Sequence, residues 1–426
     1  SNSDLASREI AGALSLDGDA VSTTVRGSAE LLDRGVAGSI VQPSTTGREG
    51  QRRQNAGLDA SWRNGMVAWT FTSDLAHERA TYVDPSPPFG SSYYDTVSAT
   101  GLNASSVASA GDDRSSASLG GDVRTTDVAS TVLTASAPHW QRVLGAFGRA
   151  RASRSLGEMR IDVDAAARAD QSSLVRGTTL SPRIAASVSH GILAASASAG
   201  AGYMPPSLAD QFFHEGVLVR PNPSLQPERT RRDVEARFSV RDAHAGAARL
   251  SAEAAAFRAD VDGMILWLPD FRFVWSPSNN TVRRSGWELS GRGDFPAGFH
   301  IYGTVDRADV VYAGPVLAGQ VAYRPSTTAN VAAGAGPRYA RVEITDQYVG
   351  ARRTVPGSAL NALDPYWLAS ARLSSSWSGR SWSADATLGI ENLLNQPAAM
   401  LVDYPFPSRG WSLGLRLRRS PGGRAP

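Results

Sequence analysis

The stretch MRIDVDAAARAD at residues 159–170 decides the fold class of this chain. Its odd-numbered positions, from Met159 to Ala169, are all apolar, and its even-numbered positions, from Arg160 to Asp170, are charged apart from one alanine. Successive side chains of a β-strand point to opposite faces of the sheet, whereas a helix would place apolar residues three and four positions apart. The stretch therefore predicts a β-strand with one apolar and one charged face.

The same alternation recurs along the chain, for example at 21–30, 234–240, 248–256, 382–390 and 411–417. It predicts about nineteen strands in all. They lie at 4–16, 20–31, 50–62, 66–79, 93–108, 114–125, 139–152, 158–170, 176–189, 191–203, 228–241, 247–267, 280–293, 298–310, 317–333, 338–350, 364–377, 381–395 and 409–419.

The connections between these strands come in two lengths. Short ones carry Gly, Asn or Asp, as in Arg63-Asn64-Gly65, which is the composition of tight hairpin turns. Long ones lie near 32–49, 80–92, 126–138, 204–227, 268–279, 351–363 and 396–408. Short turns at one end and long loops at the other are typical of outer-membrane β-barrels, in which the short turns are periplasmic.

Composition excludes several classes of protein. The chain has 426 residues, 42% hydrophobic residues and no cysteine, so disulfides and thiolate chemistry are excluded. Its mean hydropathy is −0.23, and no apolar run reaches the length of about 20 residues that a membrane helix needs. The net charge of +3 is scattered, without the basic stripe that nucleic-acid binding requires.

Tryptophans favour a membrane barrel over the alternative, a soluble β-sandwich. Trp377 and Trp382 flank one short turn on the apolar faces of their strands, Trp62 precedes another short turn, and Trp411 opens the last strand at the opposite rim. Outward-facing aromatic residues at both interfaces form the girdles of outer-membrane barrels. So many strands with polar opposite faces also need a wet interior.

Six phrases follow one another in the second half of the chain. They are Ser181-Pro182-Arg183 with ASASAGAGYMPPSLADQFF at 195–213, NPSLQPE at 222–228, FRADVDGMI at 257–265, Asn279-Asn280 with GWELS at 286–290, LGIENLLN at 388–395, and DYPFPSR at 403–409. In this order they resemble the barrel of the TonB-dependent receptor family. Asn395 stands where that family usually has Asp, Ser408 where it usually has Gly, and the chain ends on a polar tail where an aromatic residue is usual.

The resemblance implies a fold: an all-β, transmembrane, antiparallel β-barrel of about 22 strands around an N-terminal plug. All of residues 1–426 then belong to the barrel. The chain begins Ser-Asn-Ser without a signal segment. We therefore expect the plug and about the first three strands to be missing from this sequence.

The resemblance also implies a function: binding a scarce solute, such as a ferric siderophore or cobalamin, and importing it when the TonB complex pulls on the plug. It implies a Gram-negative outer-membrane location, contact with outer-membrane lipid, a monomer, no cofactor, no nucleic-acid partner and no enzymatic activity. A passive porin or a surface-adhesion barrel is the alternative, and a plug encoded upstream would distinguish the two.

Ligand capture in this family uses loop and lumen residues, so aromatic and Arg residues in the long connections are the candidates. Arg pairs with anionic chelates and aromatic rings pack on rings, although these residues can equally pack on one another at the rim. The candidates are Tyr93, Tyr94, Phe212, Phe213, His214, Arg220, Trp267, Phe271, Arg272, Phe273, Trp275, Tyr348, Arg352, Arg353 and Tyr404, with Phe89 and Phe406 beside them. The six His residues show no paired-ligand spacing, so no metal site and no catalytic residue is predicted.

Overall fold

The computed structural model of the protein describes residues 2, 4–38, 43–88, 90–215, 219–270, 272, 274–337, 339–355, 362–379 and 382–419. In this part of the chain the regular structure is β-strand, apart from one short helix, α1 (Leu208–Phe212), and one 3-10 turn at Pro296–Gly298. None of its helices is long and apolar enough to span a bilayer.

The strands follow the alternating segments of the sequence. They are β1 (Leu5–Asp17), β2 (Val21–Gly35), β3 (Arg48–Asn64), β4 (Val67–Asp84), β5 (Tyr93–Gly111), β6 (Ser115–Ser130), β7 (Trp140–Leu156), β8 (Met159–Ser172), β9 (Thr178–His190), β10 (Leu193–Met204), β11 (Glu228–Ala245), β12 (Ala248–Pro269), β13 (Trp275–Asp294), β14 (His300–Tyr312), β15 (Thr327–Ala335), β16 (Arg341–Val349), β17 (Arg352–Arg353), β18 (Ala362–Leu363), β19 (Tyr366–Ser378), β20 (Trp382–Glu391), β21 (Ala399–Leu401), β22 (Tyr404–Pro405) and β23 (Gly410–Arg419).

Nineteen of these strands form one antiparallel sheet, which confirms the predicted all-β class and the predicted number of strands. The two-residue strands β17 and β18 pair with each other, and β21 pairs with β22, outside that sheet. The chain divides into two compact units. Unit 1 comprises Ser1–Ala186, Ser198–Asp233 and Asp260–Val282, and unit 2 comprises Ser187–Ala197, Val234–Ala259 and Arg283–Pro426.

Strand pairing follows chain order within each unit. In unit 1 each of β1 to β7 pairs with the next strand. In unit 2 β14, β15, β16, β19, β20 and β23 pair in that order. Hairpin connections of this kind need no crossover, which is why short turns suffice at one end of the sheet.

One face of the sheet is apolar and stays exposed. In unit 1 the side chains of Ile10 and Leu119 are 74% and 72% exposed, and in unit 2 that of Leu413 is 84% exposed. A soluble sandwich would bury such side chains against a second sheet, and soluble proteins rarely expose large apolar patches. The soluble alternative is therefore wrong, and the apolar face suits contact with lipid.

Exposed tryptophans lie near both ends of the strands. Trp62 and Trp69 face each other beside the turn between β3 and β4, and Trp377 and Trp382 flank the turn between β19 and β20. Trp411 is exposed at the start of β23, at the end of the strand that lies away from the short turns. These positions agree with the interfacial girdles expected of a membrane barrel.

The opposite face is polar and carries ion pairs that cross several strands. On β8, Arg168 Nη1 lies 2.5 Å from Asp122 Oδ2 on β6, and Arg168 Nη2 lies 2.7 Å from Asp170 Oδ1. On β2, Arg26 bridges Asp59 of β3 and Asp74 of β4. Each of these carboxylates is engaged by a guanidinium group, which fits a wet polar wall rather than an acid–base pair.

The strand predicted at 317–333 begins only at Thr327. Pro325 removes a backbone donor there, Pro315 removes another just before it, and Tyr323 adopts a left-handed backbone with φ of 57°, so residues 317–326 form a loop. The strand predicted at 381–395 ends at Glu391, because Asn392 adopts φ of 47°. The connection predicted at 268–279 is shorter, since β12 extends to Pro269 and β13 begins at Trp275.

Candidate functional site

Helix α1 lies in the long connection between β10 and β11. Pro205 and Pro206 directly follow β10. Proline has no backbone N–H to donate to a neighbouring strand, so the two prolines end the strand here. Ser207 caps the helix: its Oγ accepts a hydrogen bond from the Asp210 amide at 3.0 Å and donates to Asp210 Oδ2 at 2.7 Å. The cap fixes the carboxylate of Asp210 at the start of the helix.

Asp210 joins this connection to β12. Trp267 on β12 donates its indole Nε1–H to Asp210 Oδ1 at 2.8 Å. The Asn222 amide, later in the same connection, donates to the Asp210 carbonyl oxygen at 3.1 Å. The indole of Trp267 is therefore held in one orientation beside α1.

The segment after α1 pairs with the connection between β6 and β7. The Thr134 amide donates to the Phe212 carbonyl oxygen at 2.8 Å, and the His214 amide donates to the Val132 carbonyl oxygen at 2.7 Å. Phe213 forms a β-bridge with Leu133 between them. The rings of Phe212 and Phe213 are half-buried, and His214 is exposed.

Trp275 and Arg220 complete the group. The Arg220 amide donates to the Trp275 carbonyl oxygen at 2.9 Å, and Val219 bridges Trp275 in a parallel register. The guanidinium of Arg220 reaches Glu215 Oε1 at 3.2 Å and remains half-exposed. Backbone and side-chain bonds thus bring six predicted residues together in unit 1. We call them the loop cluster: Phe212, Phe213, His214, Arg220, Trp267 and Trp275.

A tight turn between β12 and β13 adjoins the loop cluster. Asp270 Oδ1 accepts hydrogen bonds from the amides of Val274 at 3.0 Å and Arg272 at 2.8 Å. The bond from the Val274 amide is the main cause that holds the pKa of Asp270 below its ordinary value; desolvation opposes it, and the bond from the Arg272 amide adds to it. Predicted residue Arg272 is exposed in this turn, while Phe271 and Phe273, like Phe89, lie outside the described residues.

The remaining unit 1 candidates stand at the start of β5. Tyr93 and Tyr94 are 50% and 61% exposed there. Adjacent strand residues point to opposite faces, and Tyr94, which pairs with Val83, lies on the apolar face. No described hydrogen bond joins either tyrosine to the loop cluster.

The unit 2 candidates occupy different environments. Tyr348 packs on Trp367, with ring centroids 4.7 Å apart, on the face that also carries exposed Leu373 and Trp377. It therefore belongs to the apolar face. Tyr404 is exposed in β22, and Arg353 is half-buried, with its carbonyl oxygen accepting from the Tyr323 amide at 2.7 Å.

Arg352 is a buried anchor of unit 2. Its side chain is almost fully covered, its guanidinium lies 4.9 Å from the ring centroid of Tyr366, and Nη2 donates to the Ala399 carbonyl oxygen at 3.1 Å. Tyr366 in turn meets Phe406 edge-on, with centroids 5.5 Å apart. This packing leaves Arg352 unavailable to an incoming anion without rearrangement of the loop.

Comparison with known proteins identifies a family with this architecture. A family model described as TonB dependent receptor-like, beta-barrel matches residues 8–393.

The chain belongs to the TonB-dependent receptor β-barrel family.

Solved receptors and transporters share its fold. The ferric-catecholate import receptor Fiu from E. coli K12 superposes with a TM-score of 0.76 at 12% identity, over 98% of this chain and 75% of that one. The siderophore receptor PirA from Acinetobacter baumannii gives 0.75 at 11% identity, over 98% and 71%. The copper transporter OprC gives 0.77 at 10% identity, over 98% and 72%. At such identities the likeness concerns the fold, and no curated protein sequence matches the chain.

The phrase NPSLQPE of this receptor-family chain is held by β12 and β13. Asn279 Oδ1 accepts from the Gln226 amide at 2.8 Å, while its Nδ2 donates to the carbonyl oxygens of Gln226 at 2.8 Å and Gly263 at 2.7 Å. Glu228 Oε1 accepts from the Ile265 amide at 2.7 Å. Asn279 therefore clamps the end of the long connection beside the loop cluster.

The phrase LGIENLLN ends in a second clamp, in unit 2. Buried Asn392 donates from Nδ2 to the carbonyl oxygens of Gln396 at 3.0 Å and Pro407 at 3.2 Å, so it bonds to loop backbone. Asn395 Oδ1 accepts from the Arg409 amide at 2.9 Å. Asn at 395 thus supplies the acceptor that Asp would supply.

Sequence reasoning did not identify the residues that hold the loop cluster in place. Asp210, Asn222 and Asn279 lie inside the family phrases but were not singled out as supports. Asn222, between Pro221 and Pro223, carried a signal: a short polar residue next to Pro in a long connection often bonds loop backbone. Asp210 and Asn279 carried no such signal. Among the described residues no group of three or more His, Asp or Glu side chains is arranged to hold a metal ion.

Proposed function

We propose that this protein is an outer-membrane receptor that binds a scarce solute, such as a ferric siderophore or cobalamin, in its long loops and imports it by TonB-driven gating. The family is one of receptors rather than enzymes. In this proposal the chain performs no covalent chemistry, needs no cofactor and works as a monomer. We assign contact with TonB to none of the described residues.

The observation that carries the proposal is the pairing of two surfaces on one sheet. The exposed apolar face, with tryptophans near both ends of the strands, suits an outer-membrane bilayer. The polar face carries the charged rows of Arg26 and Arg168, which suit a water-filled lumen. Solutes then meet the protein first at the long connections.

The loop cluster has the chemistry that a chelate needs. The half-buried rings of Phe212, Phe213, Trp267 and Trp275 offer flat apolar contact, and Arg220 offers a guanidinium to an anionic ligand. Similar structures are described as ferric-catecholate, siderophore and copper proteins, so a metal chelate is the leading substrate class.

Uptake in starved cells tests the proposal. Cells that carry or lack the gene are starved of iron or of cobalamin and given radiolabelled ferric catecholate, ferric citrate or cobalamin. We expect the gene to raise uptake of one of these solutes only while TonB is present. Uptake that persists without TonB would support a passive porin and overturn the receptor assignment.

A pair of arginine variants tests the loop cluster. Arg220→Gln removes the exposed guanidinium of the cluster, and Arg114→Gln removes an exposed guanidinium from the turn between β5 and β6 at the other end of the sheet. We expect a weaker apparent affinity for the transported solute in the first variant only. Equal uptake curves for both variants and the parent would exclude Arg220 from ligand binding.

A further inference from the structure

A row of arginines crosses the apolar face of unit 1 near its loop end. The register aligns Arg8 of β1 with Leu31 of β2, Leu31 with Arg52 of β3, and Arg52 with Arg79 of β4. These positions share a face with exposed Ile10, Trp62 and Leu75. We propose that Arg8, Arg52 and Arg79 bind the phosphate-bearing headgroup of a membrane lipid. The proposal rests on the outer-membrane location proposed above.

The row lies where a lipid headgroup would be. Arg52 stands ten positions from Trp62 along β3, and Arg79 stands ten positions from Trp69 along β4. At a rise of about 3.3 Å per residue and a strand tilt of about 40°, that separation is about 25 Å along the membrane normal. This equals the height of the apolar band of a typical outer-membrane barrel, so the row falls at the interface opposite the Trp62–Trp69 pair.

The charges in the row are not balanced by protein groups. Arg52 stands directly opposite Arg79, and like charges so placed destabilise a sheet. The acids nearest in the register, Asp33 and Asp4, are both engaged by Arg48. Within the described chain no ion pair joins Arg8, Arg52 or Arg79 to a carboxylate. A bound anion would remove the repulsion.

A groove between these side chains offers the space. A cavity of about 570 Å³ is lined by all three arginines together with Leu31, Gly50 and Thr81, and by Asp33, whose carboxylate is paired with Arg48. The absence of a side chain at Gly50 keeps the cavity open, since a Cβ there would lie 3.0 Å from Thr81 Oγ1. Guanidinium groups bind phosphate oxygens in pairs, and basic pockets at membrane level bind lipid head groups. Ile10, two positions from Arg8 toward the turn end, would contact acyl chains, and Leu31 within the row would contact their upper ends.

Lipid binding to the purified protein tests this inference. The protein, extracted in detergent, is titrated with diphosphorylated lipid A, with dephosphorylated lipid A and with inorganic phosphate, and bound lipid is counted by native mass spectrometry. The variant is Arg52→Gln/Arg79→Gln. The control is Arg63→Gln/Arg114→Gln, which removes two exposed guanidinium groups at the turn end. If the double variant does not fold, Arg8→Gln on β1 replaces it as the test variant.

We expect phosphorylated lipid A to bind the parent and the control equally. The Arg52/Arg79 variant should bind about tenfold more weakly or worse, because one charge-assisted hydrogen bond contributes about a decade in affinity. Dephosphorylated lipid A should bind the parent as weakly as phosphorylated lipid A binds the Arg52/Arg79 variant. Unchanged binding by the Arg52/Arg79 variant, or full competition by inorganic phosphate, would overturn the lipid site. This assay needs neither TonB nor uptake, so its failure leaves the transport proposal standing, and the reverse also holds.

Discussion

At the scale of single residues, Asn279 is the side chain that clamps the end of the long connection beside the loop cluster. Asn279→Ala removes three hydrogen bonds to the backbone of Gln226 and Gly263. We expect the variant to unfold at lower denaturant concentration, with a loss of about 1–3 kcal/mol in free energy of unfolding, and to bind its solute more weakly. Urea titration in detergent, followed by tryptophan fluorescence, measures the first effect.

The neighbouring residue provides a matched control. In the described part of the chain the Asn280 side chain bonds only to Ser278, two positions away, so Asn280→Ala removes the same kind of side chain without releasing the connection. The clamp interpretation predicts a clearly smaller loss for Asn280→Ala. Equal losses in the two variants would mean that Asn279 acts through its local strand and not through the long connection.

The turn at 270–274 is expected to respond to acid. Because amide hydrogen bonds lower the pKa of Asp270 in the folded state below its ordinary 3.8, the ionised carboxylate stabilises the turn at and above that value. This contribution is lost as the pH falls through the lowered pKa. Amide hydrogen exchange at Val274, corrected for its intrinsic pH dependence, should therefore stay slow from neutral pH to near 3.8 and speed up only below it.

A variant separates this effect from general acid unfolding. In Asp270→Asn the amide oxygen still accepts a hydrogen bond but no longer titrates. Exchange at Val274 should then lose its additional acid step while the rest of the sheet behaves as in the parent. An identical acid step in both proteins would assign the change to another group.

The candidate residues illustrate what sequence can and cannot predict at this scale. Residue type and position in long connections identified Phe212, Phe213, His214, Arg220, Trp267 and Trp275, which the structure brings together. The same criteria selected Arg352, which is buried under Tyr366, and Tyr348, which lies on the apolar face. The burial of a side chain and the sheet face on which it lies depend on the register of neighbouring strands and on loop packing. Residue type and position in the sequence do not determine either.

At the scale of elements, the short turns depend on where glycine stands. Gly111, at the end of β5, has φ of 143°, and a Cβ there would collide with the Ser115 carbonyl oxygen. Gly65 has φ of 56° with nothing within 4 Å of its would-be Cβ. We expect Gly65→Ala to cost about 1–2 kcal/mol, from left-handed backbone strain alone, and Gly111→Ala to cost more.

Assembly into lipid vesicles compares the two glycine variants. The fraction that folds after dilution from urea, read from the shift of the heat-sensitive band on a gel, should be lower for Gly111→Ala than for Gly65→Ala. If Gly65→Ala assembled as poorly, backbone conformation rather than the clash with Ser115 would limit the turn.

Alternation was sufficient to locate the sheet strands because each has two chemically different faces. It failed at 317–326, where Pro325, and Pro315 just before the segment, interrupt pairing although the composition still resembles that of a strand. It also missed α1, whose five residues are too few to show a helical period. Short elements stabilised by tertiary hydrogen bonds, such as that of Trp267 to Asp210, leave no periodic signal.

At the scale of the whole molecule, the two faces of the sheet should tolerate charge very differently. Leu75 lies on the apolar face of β4, six positions from Trp69, and Thr72 lies on the polar face opposite Asp59. We expect Leu75→Arg to destabilise the protein in lipid by about 2–4 kcal/mol, as for a charge near the bilayer midplane. Thr72→Arg should change stability little, and equal costs would contradict a lipid-facing surface.

The measurement that tests the central claim most directly is a nitroxide scan of residues 159–170 in β8, with the protein in lipid vesicles. The chain contains no cysteine, so single cysteines can be labelled one at a time without background. Labels at odd positions such as Ile161, Val163 and Ala167 should collide mainly with oxygen, which concentrates in lipid. Labels at even positions such as Asp162 and Asp164 should collide mainly with a water-soluble nickel complex. A two-residue alternation is the predicted result, and collision rates that do not alternate would contradict the account.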